Sequence, residues 1–272
     1  MIARSAGTLW ARRGIASASG GGEAPARILV MGGSGFVGSH VCREALARGL
    51  EVTALSRSGA PVDGGGREPG GGWAQAVRWV RGDALAMDSS GAWSEALEGC
   101  GAVVAAVGGV GSAAQMERVC GDTTVHLARA ARDAGHVRRM VFVSAADLSG
   151  VPPLGWLLRG YWAGKRKGER AVAECFPEGG VSLRPGLVYG ERVLPGGRRL
   201  DLGLLGAPLE RGIGLAQGKV DIAGVPVLGP ALAAAPMDAK VLARACVTSA
   251  VDAARVRPGV KEIPEIHAIA EA

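Results

Sequence analysis

Short apolar runs alternate along the chain with stretches in which apolar residues recur at helical spacing. Arg27–Met31 is a brief apolar run ending in glycine, which suits a buried parallel strand. Residues 36–49 carry the helical period, with Gly49 as the stop, and Glu51–Ser56 reads as a second strand that completes a βαβ unit. Residues 77–80 are strand-like, 91–98 form a short helix and 102–107 a strand. Residues 114–134 read as one long helix stopped by Gly135. Arg139–Val143 reads as the next strand, 164–175 as a helix and 181–183 as a strand. Parallel neighbours need crossover helices, so this alternation predicts an α/β fold, a doubly wound parallel Rossmann sheet.

Two stretches interrupt the alternation. Residues 58–72 are rich in Gly and Pro and read as a flexible surface insertion. From Glu191 onward the pattern weakens into apolar pieces punctuated by Gly and Pro, followed by a helix over 238–254. The expected organisation is a leader over 1–22, a Rossmann core over 26–190 and a small C-terminal cap over 191–272 that shapes a substrate pocket. The apolar stretch 222–237 is broken by Pro226, Pro230 and Pro236, so no transmembrane segment of about 18 residues is expected.

Charge changes the picture mainly at the N-terminus. The 272-residue chain carries a formal charge of +6, and Arg4, Arg12 and Arg13 precede the first acidic residue, Glu23. With the hydroxyls of Ser5, Thr8, Ser17 and Ser19, this is the composition of an organellar transit peptide. The run Arg13 to Ser17 resembles a mitochondrial matrix-processing site, so the expected location is mitochondrial, in the matrix or peripheral on the inner membrane, with the plastid second. The rest of the chain lacks Lys/Arg blocks interleaved with aromatics, which argues against nucleic acid as a partner. The 5 cysteines show no C-x-x-C spacing and the 4 histidines no ligand spacing with them, so reduced thiols and no metal are expected.

The chemistry concentrates at two places. Gly32, Ser34, Gly35, Phe36, Val37 and Gly38 lie in a G-x-x-G-x-x-G turn between the first strand and helix. Gly32 allows the tight turn, Gly35 lets the backbone approach a pyrophosphate, and Gly38 lets the helix lie close to the sheet. The helix start then offers free N–H groups and a positive dipole end to the phosphates. At the end of the second strand an NAD site usually carries a carboxylate; here Arg57 stands between Ser56 and Ser58. Arginine pairs a 2′-phosphate, which favours NADP(H) while leaving NAD(H) open. Asp83 either accepts from the adenine amino group or caps the following turn. Ala106 belongs to a run of small residues that would let the dinucleotide cross the sheet edge.

Tyr161 and Lys165 have Y-x-x-x-K spacing and would share one face of a helix. An ammonium beside a phenol stabilises the phenolate, which makes Tyr161 a candidate acid/base and Lys165 a candidate ribose contact.

With Gly32 to Gly38, Gly82-Asp83, Val141 to Ser144, Tyr161 with Lys165, and Arg184 to Gly190 in this order, the chain resembles the extended short-chain dehydrogenase/reductases. It is most similar to their atypical mitochondrial branch, which includes the Rossmann accessory subunit of respiratory complex I and proteins linked to coenzyme Q biosynthesis. Ser144 to Asp147, Arg159 to Tyr161 and residues 222–230 look most like the plant members. The resemblance implies a dinucleotide, a quinone or its precursor as a partner, and association with a quinone-biosynthesis or respiratory complex. Ser144 joins Tyr161 and Lys165 as a catalytic candidate, but the register position of the usual substrate-holding Ser or Thr is Ala146. A lost donor of that kind costs on the order of a hundredfold in rate. Two readings follow: a binding or accessory factor in quinone handling, and an active NADP(H)-dependent oxidoreductase or lyase.

Overall fold

The computed structural model describes residues 25–61, 72–86, 92–193, 199–201 and 235–272 of the chain. The expected leader 1–22, most of the 58–72 insertion and residues 222–230 lie outside the described residues.

Seven parallel strands form the central sheet. They are β1 (Arg27–Met31), β2 (Glu51–Ser56), β3 (Val77–Arg81), β4 (Ala102–Ala105), β5 (Arg139–Val143), β6 (Gly180–Leu183) and β11 (Gly259–Lys261). Their order is β11-β6-β5-β4-β1-β2-β3, the doubly wound arrangement with its topological switch between β1 and β4. Ligands in such sheets lie in the crevice at the carboxyl ends of the strands flanking that switch.

Both faces are covered, which is why the strands read as continuous apolar runs. Ile28 and Val30 point into one core with Val104, Val141 and Leu242, while Leu29 and Met31 point into the other with Val103, Leu127, Phe142 and Val172. Helix α1 (Phe36–Ala47) lies on the first face with α7 (Ala239–Val251) and α8 (Ile263–Glu271). The second face carries α2 (Ala92–Leu97), α4 (Thr123–Asp133) and α6 (Arg159–Cys175). Two-stranded pairings add β7 (Val188–Tyr189) to β10 (Met237–Asp238), and β8 (Glu191–Val193) to β9 (Arg199–Asp201).

The structure revises three expectations. The helix expected over 114–134 is α3 (Ala113–Glu117), one π turn (Arg118–Asp122) and α4. Helix α6 begins at Arg159, five residues before the expected start, so Tyr161 lies in its first turn. Gly160 does not end the helix there, because its missing side chain makes room for the Ala113 carbonyl.

The third revision concerns the cap. Within the expected 191–272 segment, β11 pairs with β6 and α7 buries Leu242, Ala245 and Cys246 in the sheet core. Residues 237–272 are therefore part of the Rossmann body. Strand β11 escapes sequence reading because it is three residues long and carries one apolar side chain. Arg139, buried at the start of β5, ties this late segment down by donating to Ser249 O at 2.7 Å and Val256 O at 2.8 Å.

Candidate functional site

The glycine turn leaves β1 at the switch point. Gly32 has φ +86°, a conformation side chains disfavour, and its N–H donates to Leu55 O at 2.8 Å. A Cβ on Gly38 would sit 2.1 Å from Gly32 O, so α1 is pressed directly onto the turn. Gly35 differs: a Cβ there would meet only Gly32 O, at 3.1 Å, and the space above it is open. Gly35 is also the N-cap of α1, with no side-chain cap and no acidic residue in the first turn. Uncapped amide donors beside an open glycine fit a dinucleotide pyrophosphate. Ser34 precedes Gly35 in the turn, and Phe36 and Val37 open α1. Ala106 closes its far wall: its N–H donates to Met31 O at 2.9 Å, and its carbonyl would lie 2.9 Å from a Cβ on Gly32.

At the end of β2, Arg57 and Ser58 are exposed and Ser56 is buried, with the two serine hydroxyls 3.2 Å apart. Register pairs Ser56 with Arg81, so two arginines flank this strand end. Asp83 is exposed and its Oδ1 accepts from Leu85 N at 3.0 Å, which is the turn-capping role.

Helix α6 brings Tyr161 and Lys165 together. Lys165 is 3 % exposed and donates to Val143 O at 2.7 Å and Val107 O at 3.2 Å, bridging the chain beyond β4 to the last residue of β5. Its Nζ lies 4.9 Å from the Phe142 ring centre and 5.5 Å from that of Tyr161. Burial lowers the Lys165 ammonium to about 8. Burial pushes the Tyr161 phenol in the opposite direction, up to about 12, and Cys120 adds to the rise. An acid/base working near neutrality needs a lowered phenol, and burial acts on Tyr161 in the opposite direction.

Ser144 faces a different partner from the one its candidacy needs. Its hydroxyl donates to the buried Glu169 carboxylate at 2.6 Å. Ala146 is buried, and its N–H donates to Pro185 O at 2.8 Å. Glu169 and Cys120 are the participants that sequence reading passed over. Glu169 carried a usable signal, since it falls four residues after Lys165 on one helix face. Cys120 carried none, because the π turn that aims it is invisible in an unbroken helical period.

Among the described residues no helix is long and apolar enough to cross a membrane, and no cluster of His, Cys, Asp or Glu has the geometry to hold a metal. All five cysteines are free thiols.

Residues 32–178 match the NAD(P)H-binding family. An uncharacterised chloroplastic protein of Arabidopsis thaliana is 39 % identical over 185 residues, which are 68 % of this chain and 58 % of the relative. MIOREX complex component 2 of Saccharomyces cerevisiae is 38 % identical over 64 residues, covering 23 % of this chain and 22 % of that protein. The chain thus spans less than two thirds of either relative. Among solved structures, MoeE5 in complex with UDP-glucuronic acid and NAD superposes with a TM-score of 0.58 at 22 % identity over 87 % of this chain and 76 % of that one. A UDP-glucuronic acid 4-epimerase from Bacillus cereus in complex with NAD gives 0.57 at 18 % identity, covering 87 % and 78 %. Both share the fold.

Proposed function

The chain belongs to the NAD(P)H-binding family, and from that premise we propose that it acts as a dinucleotide-binding accessory factor in quinone handling, with nucleotide occupancy and not turnover as its working property. The observation that carries this reading is the state of the reacting side. Tyr161 is raised to about 12, Ser144 is bonded to Glu169, and Ala146 stands where a substrate-holding hydroxyl would be. The open cradle over Gly35 supports binding independently of these. A bound nicotinamide would supply hydride chemistry; the chain's own part is to hold phosphates on the amides of α1 and ribose hydroxyls on Lys165. The quinone connection rests on the resemblance of Ser144 to Asp147 and Arg159 to Tyr161 to quinone-linked members.

Dinucleotide at about 100 times its Kd adds about 2.7 kcal/mol to the folded state, so occupancy is read directly as a thermal shift. Full rescue of quinone levels by Tyr161→Phe in cells lacking the protein is expected. Loss of rescue, with dinucleotide binding intact, would instead favour the oxidoreductase or lyase reading, which the shared helix face of Tyr161 and Lys165 supports.

NADP(H) is the proposed form. The exposed Arg57 guanidinium beside Ser56, Ser58 and Arg81 suits a 2′-phosphate. Arg57→Ala is expected to weaken NADPH about tenfold while leaving NADH nearly unchanged, as calorimetric titration of both would reveal. Equal losses for the two nucleotides would remove Arg57 from the discrimination.

An organellar address completes the proposal. The acid-free leader supports import, its Arg13 to Ser17 run supports the mitochondrion, and the chloroplastic relative supports the plastid. A fluorescent fusion to residues 1–22 distinguishes the two.

A further inference from the structure

One turn beyond Lys165 lies Glu169, a buried carboxylate that dinucleotide binding does not itself use. It accepts Ser144 Oγ at 2.6 Å, and Arg166 Nη1 at 2.7 and 2.8 Å on its two oxygens. Arg184 donates to it from Nε at 2.8 Å and Nη2 at 2.7 Å. Arg166 also donates to Ala145 O, and Arg184 reaches Glu262 Oε1 at 2.8 Å, the N-cap residue of α8. The carboxylate thus fastens α6 to the chain leaving β5, to the chain leaving β6 and, through Arg184, to α8. Ser144 directly follows Val143, whose carbonyl receives Lys165. The same clasp sets the separation at which the ammonium reaches its acceptors.

We infer that Glu169 is a positioning residue of the nucleotide site: its carboxylate fixes α6 against the ends of β5 and β6 and so holds Lys165 between the Val107 and Val143 carbonyls. The inference rests on the reading of Lys165 as a ribose contact. A buried ionic cluster is a poor source of stability, because desolvation offsets most of its attraction. What this one supplies is a fixed geometry beside Lys165.

The electrostatics make the role measurable. Lys165 is faced by Cys120 from the π turn and by Tyr161, Arg166 and Glu169 from α6. Burial lowers the ammonium, Cys120 and Glu169 raise it, and Arg166 lowers it. With two hydrogens committed to the Val107 and Val143 carbonyls, only the protonated form has a third to donate to a ribose, so affinity that depends on it is held below about 8 and falls as pH rises through that value. Removing the Glu169 charge moves the midpoint to lower pH, and removing the Arg166 charge moves it to higher pH.

The test is a side-chain nitrogen NMR titration of Lys165 in the nucleotide-free full chain, paired with NADPH titrations across the same pH range. Glu169→Gln is expected to lower the midpoint and weaken NADPH about tenfold, the worth of one charge-assisted hydrogen bond. Glu169→Asp, which keeps the charge, is expected to retain the midpoint. A folded Glu169→Gln protein with unchanged midpoint and affinity overturns the inference. Should that variant not fold, Arg166→Gln carries the test, and a midpoint that fails to rise overturns it. If the midpoint responds to both substitutions while the unaltered chain takes up no dinucleotide, the nucleotide reading fails and the positioning of Lys165 stands.

Discussion

Gly38→Ala is expected to abolish saturable NADPH and NADH uptake and to lower the melting temperature by several degrees. The added Cβ would lie 2.1 Å from Gly32 O, 2.7 Å from Gly32 C and 3.0 Å from Gly33 Cα. All three are backbone atoms of the turn, so no side chain can swing aside to relieve the collision. Either α1 lifts from the turn or the turn opens, and both displace the amides that the phosphates need. Overpacking of this kind costs about 1–3 kcal/mol, which in a domain of this size is a melting shift of roughly 2–4 °C per kcal/mol. Gly72→Ala is the control, since a Cβ there meets nothing within 4 Å. Normal dinucleotide affinity in folded Gly38→Ala protein would remove the cradle from the account.

What the sequence disclosed and what it hid follow one physical division. Strands β1, β2 and β5 run where the apolar pattern put them, because a strand buried on both faces is a short uninterrupted run bounded by turn residues. The glycine turn was equally plain, since its residues are adjacent in sequence and their spacing is the geometry. The Glu169 clasp was hidden, because it joins residues from 144 to 262 whose proximity only the completed sheet creates. The acceptors of Lys165 were hidden for another reason: they are the carbonyls of Val107 and Val143, and a backbone group leaves no mark in residue type. The late helix α7 falls within the expected 238–254, whereas strand β11 went unread because it has one apolar residue and joins the sheet only through its partner β6.

The glycines of α6 illustrate a signal that sequence alone reads with the wrong sign. Gly160, Gly164 and Gly168 recur every fourth residue, and glycine inside a helix costs about 1 kcal/mol relative to alanine. If they were merely tolerated, Gly160→Ala would stabilise the protein by about that amount. The structure predicts the reverse. A Cβ on Gly160 would lie 1.9 Å from Ala113 O, and one on Gly164 would lie 2.8 Å from Glu117 O and 3.0 Å from Cys120 Cβ. On Gly168 it would meet the Phe142 ring at 2.8 Å. The stripe thus seats α6 against α3, the π turn and β5, and a Cβ on Gly121 in that turn would lie 3.0 Å from the Gly164 Cα and carbonyl oxygen. Gly160→Ala is therefore expected to lose about 1–3 kcal/mol net of its helix gain and to weaken dinucleotide binding, because Tyr161 and Lys165 ride on the displaced helix. Denaturant melts with a nucleotide titration check both. A more stable protein with unchanged affinity would mean that α6 is not held at this distance, and that the placement of Lys165 is not set by the packing of its helix.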